Sequence, residues 1–356
     1  MTGVTAPYQQ SDDNENAGVG SPTVFARKDA WEESEVNAKK WFGGAVALTV
    51  VGALVFALAA PVAGAAAVSA PVSVGGSHPE EPAVSGSRVV WSDYADGRYD
   101  LWLYDGATKQ ATKIAAAMPG DKVQPAISGD TVVFVAFSRA TGGDIFAYDI
   151  PSGVVRPLTQ AAGDQANPTI SGRFVAWEDY SSGYSAKING YNLETGAPLY
   201  IDSSYSNHKR RPHAAGDFLV YESSATQDKT DIYAYNFVTG LKAPIANGAY
   251  EEIMPATDGT WAAWVQPSAS GYDVWAGRLG LDVSGVPTLG DVAAVTTDPG
   301  EQTLPAVGNG VVYYTDAAAG LVIRSYNPAT GARSTAPLRT RGSVRGFVAS
   351  GDALAW

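Results

Sequence analysis

Residues 167–180 read NPTISGRFVAWEDY, and near copies stand at residues 124–137 (QPAISGDTVVFVAF) and 81–94 (EPAVSGSRVVWSDY). The proline of this phrase recurs at 82, 125, 168, 212, 255 and 305, and a seventh copy, FVASGDALAW, begins at Phe347. The spacings are 43, 43, 44, 43, 50 and 42 residues. A period of this length marks a unit that cannot bury its own faces and must stack on its neighbours, as in a propeller or a solenoid.

The contents of one unit decide between the two. In the second copy PAI is a short strand, SGD a tight reversal and TVVFVAF an apolar run of β-branched and aromatic residues. After the turn-rich SRATGG come the alternating strand DIFAYDI, the turn PSG and the strand VVRPLT. Four short antiparallel strands with no helical period describe a propeller blade. The sequence therefore predicts an all-β chain, a β-propeller of six to seven four-stranded blades, with seven preferred. Residues 68–82 align with residues 154–168 as a lone fourth strand, and the seventh copy supplies two more. Joining them leaves only the third strand of the last blade unaccounted for, so the last blade is expected to be incomplete and the sequence to be cut short after Trp356.

The pattern Pro-x-Ile-Ser-Gly-Asp, an apolar run ending in Trp or Tyr, a glycine-containing loop, Asp-Ile-Tyr-x-Tyr-Asp and Thr-Gly resembles the TolB-like β-propeller repeats of exported and surface-anchored proteins. The resemblance covers about residues 68–356, without the N-terminal domain of TolB proper. It implies an extracytoplasmic propeller. Some propellers of this type resemble oligogalacturonate lyases, in which several His and a Gln hold a metal at the channel. The three histidines here are His78, His208 and His213.

The N-terminal residues are of another kind. Residues 1–40 are polar and read as a disordered cytoplasmic tail. Residues 41–60 include AVALTVVGALVFALAA, and no Asp, Glu, Lys or Arg stands between Lys40 and Glu80. A helix of about 20 such residues crosses ~30 Å of hydrocarbon. Lys39 and Lys40 hold its N-terminus in the cytoplasm. Two readings stand: an uncleaved transmembrane signal anchor, giving a single-pass protein of the cell membrane with its propeller outside, or a signal-peptide core cleaved near Ala59, giving a secreted one. Residues 61–67 are a short linker and residues 68–356 the propeller.

Composition narrows the function. The net charge is −12 and no basic run tracks a phosphate backbone, so nucleic acid is not an expected partner. Cysteine is absent, which removes disulfides and thiolate chemistry. No GxSxG, HExxH or phosphate loop occurs.

The recurrent glycines, including Gly86, Gly129, Gly172, Gly196, Gly240 and Gly331, read as turn formers. Asp100, Asp144, Asp231 and Asp273, which open the third strands, read as acceptors of loop N–H groups. Trp91, Trp177, Trp264, Tyr104, Tyr148 and Tyr235 read as packing between blades.

Four residues before each proline stand His78, Asp121, Asp164, His208, Glu251 and Glu301. Pseudo-rotation sets these metal-ligating types on one ring at the channel mouth, where they either bind a ligand or an axial divalent cation or grip neighbouring blades. Lys209, Arg210 and Arg211, with Tyr180 and Tyr184 of a neighbouring loop, form a candidate partner face. The expected function is a membrane-tethered, non-catalytic binding or scaffold module without a resident cofactor, engaging protein or cell-surface glycan through the mouth loops. The alternative is a metal-dependent polysaccharide lyase or another carbohydrate-active propeller enzyme.

Overall fold

The computed structural model describes residues 54–58, 68–72 and 78–355, apart from 139–141, 184, 205–206, 227–228, 270, 318–321, 335–337, 340–346 and 352. Each repeat of the phrase becomes one antiparallel sheet, and seven sheets are present among the described residues. In the third blade the strands are Gln165–Ser171, Phe174–Asp179, Lys187–Asn192 and Ala197–Asp202, hydrogen-bonded in chain order. The first strands of the others are Pro79–Ser85, Lys122–Ser128, His208–Ala215, Ile253–Thr257, Gln302–Gly308 and Val348–Ser350. Every first strand contacts the next around the circle, and Val348–Ser350 returns to Pro79–Ser85. The ring is closed.

Apolar runs such as TVVFVAF are continuous because a blade buries both of its faces. Val132, Phe134 and Ala136 pack on Val90, Leu101, Leu103 and Ile114 of the preceding blade. Their alternate neighbours Val133 and Val135 pack on Val175 and Trp177 of the following one. Alternation along a strand thus sends successive side chains into two different cores. Tyr104, Tyr148 and Tyr235 lie against such clusters, as expected.

The Ser-Gly turns close the first hairpin and also tie blade to blade. Gly129 has φ +58°, a conformation that glycine adopts without strain. Its N–H donates to Ser85 Oγ at 3.0 Å, and the Gly172 N–H repeats the bond to Ser128 Oγ at 2.9 Å. Where the fifth repeat replaces Ser-Gly by Asp-Gly, Asp258 Oδ2 accepts the Gly310 N–H at 2.7 Å.

The seventh blade differs from expectation. Its outer strand is Val68–Val72, as the alignment with residues 154–168 predicts, and its first two strands are Val348–Ser350 and Ala353–Ala355. The third place is filled by Leu54–Leu58, which pairs with Ala353–Ala355 on one side and Val68–Val72 on the other. These five residues belong to the apolar run read as a membrane helix; here they are a strand, and the blade has four strands. Hydropathy alone does not tell an apolar strand from an apolar helix. Among the described residues no helix is long and apolar enough to cross a membrane. The tail 1–40, the linker 61–67 and the remainder of the apolar run lie outside the described residues.

Three of the strand-three aspartates have side-chain partners. Asp144 Oδ1 accepts the Thr159 hydroxyl at 3.1 Å and Asp273 Oδ1 that of Thr296 at 2.8 Å. Each threonine in turn accepts a third-strand N–H, from Ile145 at 2.8 Å and Val274 at 2.9 Å. Asp100 instead meets Lys113 and Lys122, each at 2.9 Å. Lys122 belongs to the next blade and is fully buried, so Asp100 is a latch between blades. Burial opposes the Asp100 charge, yet Lys113 and Lys122 hold its carboxyl at about 2.

Candidate functional site

The first strands surround a central channel of about 720 Å³, lined from the prolines (Pro82, Pro125, Pro168, Pro212) to the Ser-Gly turns. One residue before each proline the backbone enters the left-handed region. The φ values are 54° at Glu81, 52° at Gln124, 49° at Asn167, 50° at Arg211, 55° at Met254 and 51° at Leu304. The ladder slips at the same place in every one of these blades, for instance between Ala166 and Thr169. Such a conformation is unusual for a residue other than glycine, and it recurs around the proline end of the channel as a ring of bulges.

The bulges are joined by a belt of hydrogen bonds. Glu81 Oε2 accepts the Gln124 N–H at 2.6 Å and the Ser92 hydroxyl at 3.2 Å. Gln124 Oε1 accepts the Asn167 N–H at 2.8 Å. In the next two blades the acceptor comes from the second strand. Glu178 Oε1 takes Asn167 Nδ2 at 2.9 Å and the Arg211 N–H at 2.7 Å. Glu222 Oε1 takes Arg211 Nη1 and the Met254 N–H, both at 2.8 Å. The mouth is therefore lopsided, with Glu81, Gln124, Asn167 and Arg211 at the bulges of the first four blades and Met254 and Leu304 at the next two.

Burial raises the Glu81 carboxyl to about 7, against the Gln124 and Ser92 donors that favour the charged form. Burial likewise raises Glu178, whose second oxygen accepts the Tyr180 hydroxyl at 2.8 Å. Arg211 is pushed up chiefly by the Glu222 charge, with its side chain still 45% accessible. On the channel wall below, His213 Nδ1 accepts the Thr257 N–H at 3.3 Å. Burial lowers His213 to about 4, so it is neutral at neutral pH.

The ring four residues before the prolines lies at the same end, and the side chains of Asp121, Asp164 and His208 bond to the preceding blade. Asp121 Oδ1 accepts the Tyr99 N–H at 3.1 Å, Asp164 Oδ1 that of Gly143 at 2.8 Å, and His208 Nδ1 that of Ala186 at 3.0 Å. His78 is bonded through its backbone, with its N–H on Asp93 Oδ1 at 3.1 Å. The Glu301 carbonyl accepts from Ala317 N at 3.0 Å, and the charges of Glu251 and Glu301 both bear on Tyr272. Burial, then Arg210, lowers His208 to about 4. Among the described residues no group of three or more His, Asp or Glu stands close enough together to hold a metal ion.

The basic triplet does not form one face. Lys209 is fully buried, with Nζ donating to Ser204 Oγ at 2.8 Å, to the Asn207 carbonyl at 2.7 Å and to the Ser204 carbonyl. Strand alternation puts it inside, and the bulge carries Arg211 to the belt; Arg210 remains half-buried between them. Tyr180 packs edge-on against His208 with ring centroids 6.1 Å apart, while Tyr184 lies outside the described residues. Tyr94 and Tyr99, paired across strands two and three of the first blade, have ring centroids 5.0 Å apart, with Tyr94 41% exposed.

No protein-family model and no curated protein matches the chain in sequence. Solved structures match it in fold. The β-propeller domain of the Trilobed protease from Pyrococcus furiosus is 13% identical, covering 76% of this chain and 88% of that one at a TM-score of 0.56. An oligogalacturonate lyase in complex with manganese is 13% identical over 72% of this chain and 76% of its own, at a TM-score of 0.52. TolB from Acinetobacter baumannii is 14% identical over 73% and 68%, at a TM-score of 0.44 that is too low to bear on the fold. In architecture the chain is a β-propeller of seven sheets.

Proposed function

We propose that the chain is a non-catalytic, extracytoplasmic binding module, tethered to the membrane by its N-terminal residues, that engages a protein or a cell-surface glycan through the proline end of the channel. The observation that carries this reading is the ring of left-handed, non-glycine bulges at that end. Strained backbone is retained where the surroundings over-determine it, and such positions cluster at ligand clamps. At that end strands two and three meet their turn, with Tyr94, Tyr99 and Tyr272 in the strand ends among Ser, Gly and Asp. Rigid aromatic groups beside adaptable polar ones suit a recognition surface. The belt carboxylates are committed to backbone donors of the neighbouring blade, which favours a rigid seat over a proton-transferring centre.

The test compares the wild-type chain with an Arg210→Glu, Tyr94→Ser variant on isolated cell envelope. Retention should fall while the melting temperature stays unchanged, because the two side chains lie outside the packed cores. A polyuronate incubated with the wild-type protein, with and without manganese, should yield no unsaturated product. Turnover there, with envelope retention unaffected in the variant, would replace the binding reading by the lyase one.

A further inference from the structure

The belt uses one polar atom of each bulge side chain and leaves another. Glu81 accepts through Oε2 and keeps Oε1, and Gln124 accepts through Oε1 and keeps Nε2. Asn167 donates through Nδ2 and keeps Oδ1, while Arg211 gives Nη1 to Glu222 and keeps Nε and Nη2. None of these remaining atoms has a hydrogen-bond partner among the described residues. Glu81 and Gln124 are half-buried and Asn167 and Arg211 exposed, so the row meets the water of the channel mouth. Taken from the first blade to the fourth it runs acceptor, donor, acceptor, donor. Each side chain is also pinned by the atom it has used, so the free atoms are held in place before any ligand arrives.

We propose, on the reading that the proline end is the recognition surface, that this row captures the free amino terminus of an extended peptide chain. Such a chain begins with an ammonium donor and continues carbonyl, N–H, carbonyl, which complements the row in order. The ammonium meets Glu81 Oε1, the first carbonyl Gln124 Nε2, the next N–H Asn167 Oδ1 and the second carbonyl the Arg211 guanidinium. The two charged positions fix the direction. Burial, and the Glu80 charge beside it, oppose ionisation of Glu81, which has no cationic partner among the described residues; an ammonium supplies the missing countercharge. Arg211 already feels the charges of Glu222, Glu178 and Glu251, so it suits a neutral carbonyl better than a terminal carboxylate. Sugar hydroxyls donate and accept alike and have no use for a fixed order of partners. Across the mouth, the half-buried Met254 and Leu304 offer an apolar wall to the side chains of the entering chain.

The test offers the full chain two peptides, alanyl-leucyl-alanine amide and phenylalanyl-leucyl-alanine amide, each beside its N-acetylated twin, in equilibrium dialysis at neutral pH. Acetylation removes the ammonium and leaves the rest of the peptide unchanged. The wild-type protein should hold a free-amine peptide about tenfold more tightly than its twin, the worth of one charge-assisted hydrogen bond. Glu81→Gln, which keeps an oxygen for the Gln124 N–H, should lose that preference with its melting transition intact. Equal affinity for the twins, binding of neither, or a preference that survives in Glu81→Gln overturns the proposal. Retention of the wild-type chain on cell envelope, measured in parallel, separates two kinds of failure. Retention without a preference for the free amine overturns the amino-terminus assignment alone, whereas loss of retention overturns the binding reading beneath it.

Discussion

Glu81→Gln probes the belt through its pH dependence. The Glu81 carboxyl is raised from 4.5 to about 7 in the folded protein, first of all by burial. A carboxyl whose folded value is raised binds its proton more tightly folded than unfolded, so its contribution is complete below 4.5 and is lost as pH rises through 7. A shift of about 2.5 units at 1.36 kcal/mol per unit amounts to roughly 3 kcal/mol of stability lost across that window. Glutamine keeps a carbonyl oxygen to accept the Gln124 N–H, which lies 2.6 Å from Glu81 Oε2, and does not titrate. Urea midpoints and slopes for both proteins at pH 4.5, 6 and 8 give the difference directly. The variant should gain on the wild type by roughly 3 kcal/mol between pH 4.5 and 8, with Glu178, His208 and His213 cancelling because both proteins share them. A difference that is flat with pH would refute a desolvated Glu81 and with it the account of the belt.

Three further outcomes are expected. His213 is lowered to about 4, so its stability contribution is present above 6.5 and lost as pH falls through 4; in His213→Gln the gap in urea midpoint between pH 7 and pH 4 should shrink. Lys209→Ala, which orphans buried acceptors around a fully buried ammonium, should cost roughly 2–4 kcal/mol, whereas Arg210→Ala should stay within about 0.5 kcal/mol, both read by thermal unfolding. A Cβ added at Gly190 would lie 2.5 Å from the Val175 carbonyl oxygen, so Gly190→Ala should cost about 3 kcal/mol by the same measurement.

The blades were legible because their signals are residue types at fixed spacing. Proline at 82, 125 and 168, the Ser-Gly turn and the apolar second strand each follow from a local requirement of the hairpin. The belt was not legible. Glu81, Gln124, Asn167, Arg211, Met254 and Leu304 share no chemistry; they share a backbone angle, and only their phase, one residue before the proline, could have singled them out. The ring four residues earlier stood out because its members are chemically alike, and its aspartates and His208 turn out to accept N–H groups from the preceding blade. Three adjacent basic residues suggested one positive face. A strand points neighbours to opposite sides, and the bulge beside them changes the phase again, so Lys209 is inside, Arg210 is half-buried and Arg211 is in the belt. The strand Leu54–Leu58 was not legible because hydropathy alone does not tell an apolar strand from an apolar helix.

The proposal that the proline end of the channel is the recognition surface is tested most directly by hydrogen–deuterium exchange of the full chain with and without isolated cell envelope. Slowed exchange is predicted where strands two and three meet, over residues 92–100, 178–186 and 265–273, with the outer strands Ala197–Asp202 and Pro287–Ala294 unchanged. Protection confined to those outer strands, or to the Ser-Gly turns at the far end of the channel, would contradict it.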